Sequence, residues 1–127
     1  MRETEGEPTS LAVEATPSLD LIFEILSVHR RRYALYYLHD QSDSVATVAE
    51  LIDNVSALDQ LQGETDLDPE ERRNQIKTEL QHVHLPKLED AGLIEYDLRS
   101  ETVRYWHQPS LEEWLEHAKH KELSGTR

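Results

Sequence analysis

The chain has 127 residues, a length that suits one domain with a modest core. It contains no cysteine, so disulfide bonds, thiolate metal sites and a cysteine nucleophile are excluded. Its 26 acidic residues outnumber its 13 basic ones and give a formal net charge of −13, which by itself disfavours a polyanionic partner.

The types of charged residue affect what this net charge implies about binding partners. Nine of the basic residues are arginine and four are lysine. An acid-rich, lysine-poor chain with few large apolar residues stays hydrated in molar salt, and in this it resembles haloarchaeal proteins; an acidic mesophilic protein is the alternative. In molar salt the Debye length falls to about 3 Å, so net charge no longer decides partners at a distance. DNA is therefore not excluded as a partner.

The sequence carries no signal for membrane insertion or export. No apolar run approaches the roughly 18–20 residues of a membrane span. Residues 1–17 are acidic, whereas a signal peptide has a basic start and an apolar centre. We expect a soluble, cytoplasmic protein in which residues 1–17 form a disordered acidic tail.

Three helices are predicted in the first half of the chain. Ser18 caps an amphipathic helix that ends near Ser27. A second helix covers the run HRRRYALYYLHD, which ends at Asp40. Thr47 and Glu50 form a capping box for the third, which either ends near Ile52 or extends through Leu58 and Leu61.

A fourth helix, about residues 69–91, has a strong start signal. Asp68 is a good N-cap, Pro69 suits the first helical position, and the two acids that follow favour the positive end of the helix dipole. Pro86 is expected to kink this helix, and Gly92 to end it in a left-handed conformation. A helical wheel of this segment places four apolar side chains on the inward side: Ile76, Leu80, Val83 and Ala91.

The remaining segments predict a hairpin and a last helix. LIEYD and TVRYW are β-branched and aromatic, so residues 93–106 form a two-stranded hairpin. Residues 109–122 form the C-terminal helix, followed by a tail at 123–127. Its stripe of Leu111, Trp114 and Leu115 either closes the core or pairs with helix 18–27 of a second copy.

The order of helices and hairpin, together with two phrases, resembles a known family. TVAELI and HLPKLEDAGLIEYD are similar to the ArsR-type regulators, and RRRYALYYL with HVHLPKL resembles small haloarchaeal winged-helix proteins. The resemblance covers residues 18–108. It implies a mainly α fold with a small β-hairpin, the winged helix-turn-helix, and a DNA-binding transcriptional regulator that acts as a homodimer.

In that fold the fourth helix reads the major groove and the hairpin is the wing. On its polar side, Gln75, Thr78, Gln81 and His82 are short side chains able to contact base edges. Phosphate contacts are expected from basic residues of the fourth helix, the wing and the second helix, namely Arg72, Arg73, Lys77, Arg99, Arg104, Arg30 and Arg31. For the arginine triplet 30–32 the alternative is ion pairing with Glu24 and Glu50 inside the domain.

Seven histidines raise the question of a metal site. His82 and His84 point apart on a helix, whereas His117 and His120 can meet. ArsR-type sensors complete a terminal-helix zinc site with an Asp-x-His pair, but Tyr105-Trp106-His107 has tyrosine in place of the acid. We therefore predict no metal and no cofactor.

Catalysis has no support in the sequence. There is no nucleophile elbow and no phosphate-binding glycine loop, and adjacent acids such as Glu70 and Glu71 diverge on a helix. We predict that the protein is not an enzyme. The alternative to a DNA-binding regulator is a protein-interaction module on the same fold, which would dock through its acidic loop 59–71 and terminal helix.

Overall fold

The computed structural model describes residues 17–63 and 67–124, so most of the two predicted tails lies outside the described residues. The described chain contains six α-helices, two π-helical turns and three short strands. In chain order these are α1 (Leu19–Leu26), α2 (His29–Asp40), β1 (Val45–Thr47), α3 (Val48–Gln62), α4 (Pro69–Glu79), a π-turn (Leu80–His84), α5 (Leu85–Asp90), β2 (Ile94–Asp97), β3 (Thr102–Tyr105), α6 (Pro109–Lys119) and a second π-turn (His120–Ser124).

The predicted helix starts are confirmed by their side-chain caps. The Ser18 hydroxyl accepts from the Leu21 amide at 3.1 Å. Thr47 and Glu50 make the reciprocal capping box of α3. This helix runs to Gln62 and ends on Gly63, whose φ of 67° is left-handed, so the longer of the two predictions for the third helix is correct.

The fourth helix is interrupted by a π-turn between α4 and α5. Asp68 caps it as predicted, its carboxylate accepting from the Glu71 amide at 2.9 Å. The Leu85 amide bonds to the Leu80 carbonyl, one residue beyond the α-helical partner, just before Pro86, which has no N–H to donate. The prediction that Val83 points inward is wrong, because the extra residue in this turn leaves Val83 51% exposed and buries His84 instead.

The strands form a three-stranded antiparallel sheet in the order β1-β3-β2. The predicted hairpin of β2 and β3 is present, and Gly92 precedes it with φ of 77°. Strand β1, which was not predicted, pairs Ala46 with Val103 of β3. The Val48 amide, at the start of α3, donates to the Glu101 carbonyl at 2.9 Å and thereby ties the hairpin turn to that helix.

The core lies between the helices and one face of the sheet. Leu111 and Leu115 of α6 are buried in it, so this helix closes the monomer's core. Trp114 faces outward and packs edge-on against Phe23 of α1, with ring centroids 5.3 Å apart. In the part of the chain that the structure describes, no helix is long and apolar enough to cross a membrane.

The arginine triplet is directed into the protein. Arg30 and Arg31 are only 8% and 4% exposed, which corrects the prediction that they contact phosphate. Arg31 donates to the carbonyls of Glu24 and Ile25 at 2.7 and 2.8 Å, so it caps the end of α1. Arg32 donates to the Leu26 carbonyl at the same helix end. The triplet thus binds the end of α1 and carboxylates within the domain. These carboxylates belong to Asp59, Glu79 and Glu122 and not to the expected Glu24 and Glu50.

Arg31 also affects the protonation state of the buried His84. Its guanidinium lies 3.3 Å from Nδ1 of His84. Burial, and after it the charge of Arg31, lowers the pKa of His84. The ring is therefore neutral near pH 7 and its Nδ1 can accept from Arg31.

Candidate nucleic-acid interface

The polar side of α4 and the π-turn that follows is open to solvent. Ile76 and Leu80 anchor the helix in the core, which turns Lys77, Thr78 and His82 outward, with Gln81 half-buried beside them. None of these four polar side chains bonds to another described residue. They are therefore available to a ligand as donors and acceptors.

This polar face borders a cleft between three elements. The cleft has a volume of about 280 Å³ and is bounded by the start of α3, by α4 and by the turn of the hairpin. Lys77 lines it from α4, Gln81 from the π-turn, and Glu101 from the hairpin turn. Asn74 also lines the cleft. It was not among the predicted site residues, because on a helical wheel nothing distinguishes it from other exposed polar positions. The face and the hairpin turn thus share one continuous surface.

Gln75 has a different environment from its predicted neighbours. Its amide oxygen accepts from Nη1 of Arg30 at 2.8 Å, and the same nitrogen donates to Glu79 at 3.0 Å. This bond uses one of the two lone pairs of the amide oxygen, and the amide NH2 group keeps its two donors. Gln75 therefore also takes part in the α2–α4 contact, and because its side chain is exposed, its contact with bases stays a prediction.

The two arginines at the start of α4 are also engaged. Arg72 is 7% exposed and donates to the Leu67 carbonyl at 3.3 Å, so the prediction of a phosphate contact is corrected for this residue. Arg73 is exposed but forms an ion pair with Asp53 of α3. A phosphate would have to compete with that carboxylate for Arg73.

The hairpin carries two exposed arginines that make no ion pair among the described residues. Arg99 lies in its turn, and Arg104 lies on the solvent face of β3 between Val45 and Glu95 of the neighbouring strands. The Arg104 guanidinium lies 5.5 Å from the ring centre of Trp106, within cation–π range. These two positions keep the exposure that their predicted phosphate contacts require.

Acidic residues lie next to the basic ones on this surface. Glu70 and Glu71 are exposed at the start of α4. Glu101 lines the cleft, and Glu95 and Asp97 share a groove on the outer sheet face with Arg104. The surface is therefore of mixed sign, and its exposed unpaired cations within the described residues are Lys77, Arg99 and Arg104.

Comparison with known proteins gives one family. No curated protein and no solved structure matches the chain. Residues 23–104, more than half of the chain, match a family described as a domain of unknown function (DUF7344). This range includes α2, the polar face of α4 and the sheet except for Tyr105, the last residue of β3. The chain belongs to that family.

Proposed function

We propose that the protein is a cytoplasmic transcriptional regulator that binds duplex DNA through a winged helix-turn-helix domain of ArsR-like type. The observation that carries the proposal is the topology: α2, β1, α3, α4 and a hairpin whose second strand lies in the centre of the sheet. In such domains the recognition helix, here α4 with the π-turn that follows it, enters the major groove, and the hairpin contacts the backbone or minor groove. The connection between α3 and α4, from Gln62 to Pro69, is longer than a compact helix-turn-helix uses.

The exposed residues support this assignment of roles. Thr78, Gln81 and His82 present hydroxyl, amide and imidazole groups, which suit base edges. Lys77 adjoins them, and Arg99 and Arg104 lie in the hairpin, where phosphate contacts are expected. Because these three residues make few phosphate contacts, we propose that the affinity for DNA is modest. Contacts with bases would then supply a large share of the binding free energy.

The charge of the chain sets the conditions for binding. A net charge of −13 repels DNA at low ionic strength. We propose that the protein works at high salt, as in a halophilic archaeon, where that repulsion is screened within a few ångströms.

A selection experiment tests base recognition directly. The full chain is used to enrich duplexes from a random library, and the enriched sequences are compared with those from the Thr78→Ala/His82→Ala variant. The proposal predicts a defined motif that changes at one or two positions in the variant. A Glu113→Gln variant, altered on α6 away from the polar face, serves as the control and should enrich the unchanged motif. No enrichment by the unmodified protein would contradict the proposal.

One observation favours a protein-interaction module as the second candidate. Arg30, Arg31 and Arg72 are turned inward and Arg73 is paired with Asp53, so the surface is less basic than that of a typical DNA-binding domain. An acidic, mixed surface on this scaffold suits a basic protein partner. Saturable binding of the folded chain to a lysine-rich peptide, with no binding to DNA, would favour this candidate.

We further propose that the protein is a homodimer. Leu19, Phe23 and Trp114 expose apolar surface on α1 and α6, the two helices that the sequence suggested for dimer contacts. Two copies related by a twofold axis would present two reading helices to two half-sites. Sedimentation of the Phe23→Ser/Trp114→Ser variant should give a monomer where the unmodified chain gives a dimer. A monomer in both cases would contradict this part.

A further inference from the structure

A cluster of histidine and glutamate side chains lies on the side of the domain where α2, the end of β3 and α6 meet. His39 is in the last turn of α2, His107 follows β3, and Glu112 is in the first turn of α6. One nitrogen of each histidine and one oxygen of Glu112 all lie within 4.8 Å of one another. Three elements far apart in sequence therefore bring three potential metal ligands to one point.

The ligand atoms face one another within this cluster. Nδ1 of His107 lies 2.5 Å from Oε2 of Glu112. Nε2 of His39 lies 3.9 Å from Oε1 of Glu112 and 3.6 Å from Glu116. Glu116 is one helical turn after Glu112 and can supply a fourth ligand from the same face of α6.

The neighbouring groups orient these ligands. Nε2 of His107, on the other side of its ring, lies 2.6 Å from the Ser44 hydroxyl. The Tyr105 hydroxyl donates to Glu112 at 3.1 Å. Metal-binding histidines and carboxylates are typically held by outer partners of this kind. These partners hold the His107 ring and the Glu112 carboxylate in place. Nδ1 of His107 faces Glu112 and not a backbone carbonyl.

The charge around the cluster suits a divalent cation. Glu112 and Glu116 are acidic, and Lys119, the cation nearest in sequence on α6, is paired with Asp40. A cleft of about 360 Å³, lined by His39, Glu116 and His120 among others, opens beside the cluster and gives an ion a route from solvent.

We propose that His39, His107 and Glu112 form a binding site for a divalent transition-metal ion, of which Zn²⁺ is the best fit. Two imidazoles and one carboxylate are a known zinc ligand set, with a fourth position left for Glu116 or water. The ion takes the place of the proton between His107 Nδ1 and Glu112, and that proton moves to Nε2 of the ring, which faces the Ser44 hydroxyl, or leaves to solvent. Binding also brings His39 toward these two ligands. It fastens α2, the end of β3 and α6 together, and this role does not depend on DNA binding.

Calorimetric titration of the full chain with ZnCl₂ tests the site, with Co²⁺ absorption as a second readout of tetrahedral coordination. The expected result is saturable binding of one ion per chain and a higher melting temperature with Zn²⁺. His39→Gln and His107→Gln should each weaken Zn²⁺ binding at least ~10-fold and remove the visible Co²⁺ band. His107 is half-exposed, so its variant is expected to fold, and a thermal melt of the metal-free variant checks that.

His117→Gln is the matched control, because His117 is exposed on α6, the helix that carries Glu112, but lies outside the cluster. It should bind Zn²⁺ as the unmodified chain does. Loss of binding in His117→Gln with retention in His107→Gln would assign the ion to the terminal helix and overturn the proposal. Absence of saturable binding in the micromolar range by the unmodified chain would overturn it as well.

Discussion

Arg30 of α2 donates through Nε to the carboxylate of Asp59 of α3 at 2.7 Å, in a site where Asp59 has no exposed surface. The other Asp59 oxygen lies 3.2 Å from His29. Burial by itself lowers the pKa of Arg30, but hydrogen bonds to Glu79 and Asp59 outweigh it and the net pKa is raised, so the guanidinium stays charged. This pair holds α2 against α3, and through Gln75 and Glu79 it also holds α4, the helix with the polar face.

Removing one member of this pair should destabilise the domain strongly. Arg30→Leu leaves the Asp59 carboxylate buried without its cation, and we expect a loss of roughly 3–5 kcal/mol in the free energy of unfolding, measured by urea denaturation. Arg30→Leu/Asp59→Leu should recover much of that loss. Arg99→Leu, on the exposed hairpin turn, is the control and should change stability by no more than about 0.5 kcal/mol. Equal small effects for Arg30→Leu and Arg99→Leu would contradict the structural role.

Glu122 should make stability depend on pH in the acid range. Burial raises its pKa, but hydrogen bonds from Arg32 and Tyr36 and the charge of Arg32 outweigh burial and hold the pKa below its ordinary 4.5. Unfolded Glu122 therefore takes up its proton at a higher pH than native Glu122. Its contribution to stability is present above about pH 4.5 and is lost as pH falls through the lower native pKa.

The Glu122→Gln variant isolates this contribution. Its melting temperature should lie below that of the unmodified chain at neutral pH, and the difference should shrink as pH falls below 4.5. Glu113→Gln, an exposed position on α6, should show no such pH-dependent difference. A gap between Glu122→Gln and the unmodified chain that stays constant with pH would show that the carboxylate is not the cause.

Gln75 and Thr78 should have different effects although both were predicted to read bases. Gln75→Ala removes the acceptor for Arg30, so we expect a loss of about 1 kcal/mol in stability with an unchanged DNA motif. Thr78→Ala should leave stability within about 0.5 kcal/mol and alter the motif. Denaturation and library selection on both variants check this. A DNA motif that changes in the Gln75→Ala variant and not in the Thr78→Ala variant would show that Gln75 contacts bases.

Lys77 should contribute to DNA affinity through a phosphate. Lys77→Ala should weaken binding to all sequences alike and reduce the slope of log affinity against log salt by about 1. Lys121→Ala, an exposed lysine beyond α6, is the control and should leave the slope unchanged. Fluorescence anisotropy at several KCl concentrations measures both slopes, and identical slopes for the two variants would exclude a phosphate contact by Lys77.

Local signals in the sequence predicted the helices and the hairpin well. The caps at Ser18, Thr47 and Asp68 and the stop at Gly92 follow from hydrogen-bonding groups and backbone freedom within a few residues, and all four are present. Strand β1 was missed because a three-residue strand has too little alternation to be recognised, and its pairing with β3 spans more than fifty residues of chain.

The predicted site was less accurate, because it depended on side-chain direction and tertiary partners. The π-turn shifts Val83 outward and His84 inward, which a helical wheel cannot show. The arginines of the triplet turn toward a helix end and carboxylates that only the fold brings near, and Arg72 is buried against the Leu67 carbonyl. The His39–His107–Glu112 cluster joins three separate elements, so no sequence spacing indicated it.

Duplex binding by the full chain tests the central claim most directly. Fluorescence anisotropy with a random-sequence duplex pool is followed while KCl is raised from sub-molar to molar concentration, with circular dichroism to show where the chain is folded. The proposed function predicts saturable binding once KCl is high enough to screen the negative charge of the chain. Above that concentration binding should weaken as salt rises, because phosphate contacts release counterions. No binding at any KCl concentration at which the chain is folded would contradict a DNA-binding regulator and favour the protein-interaction module.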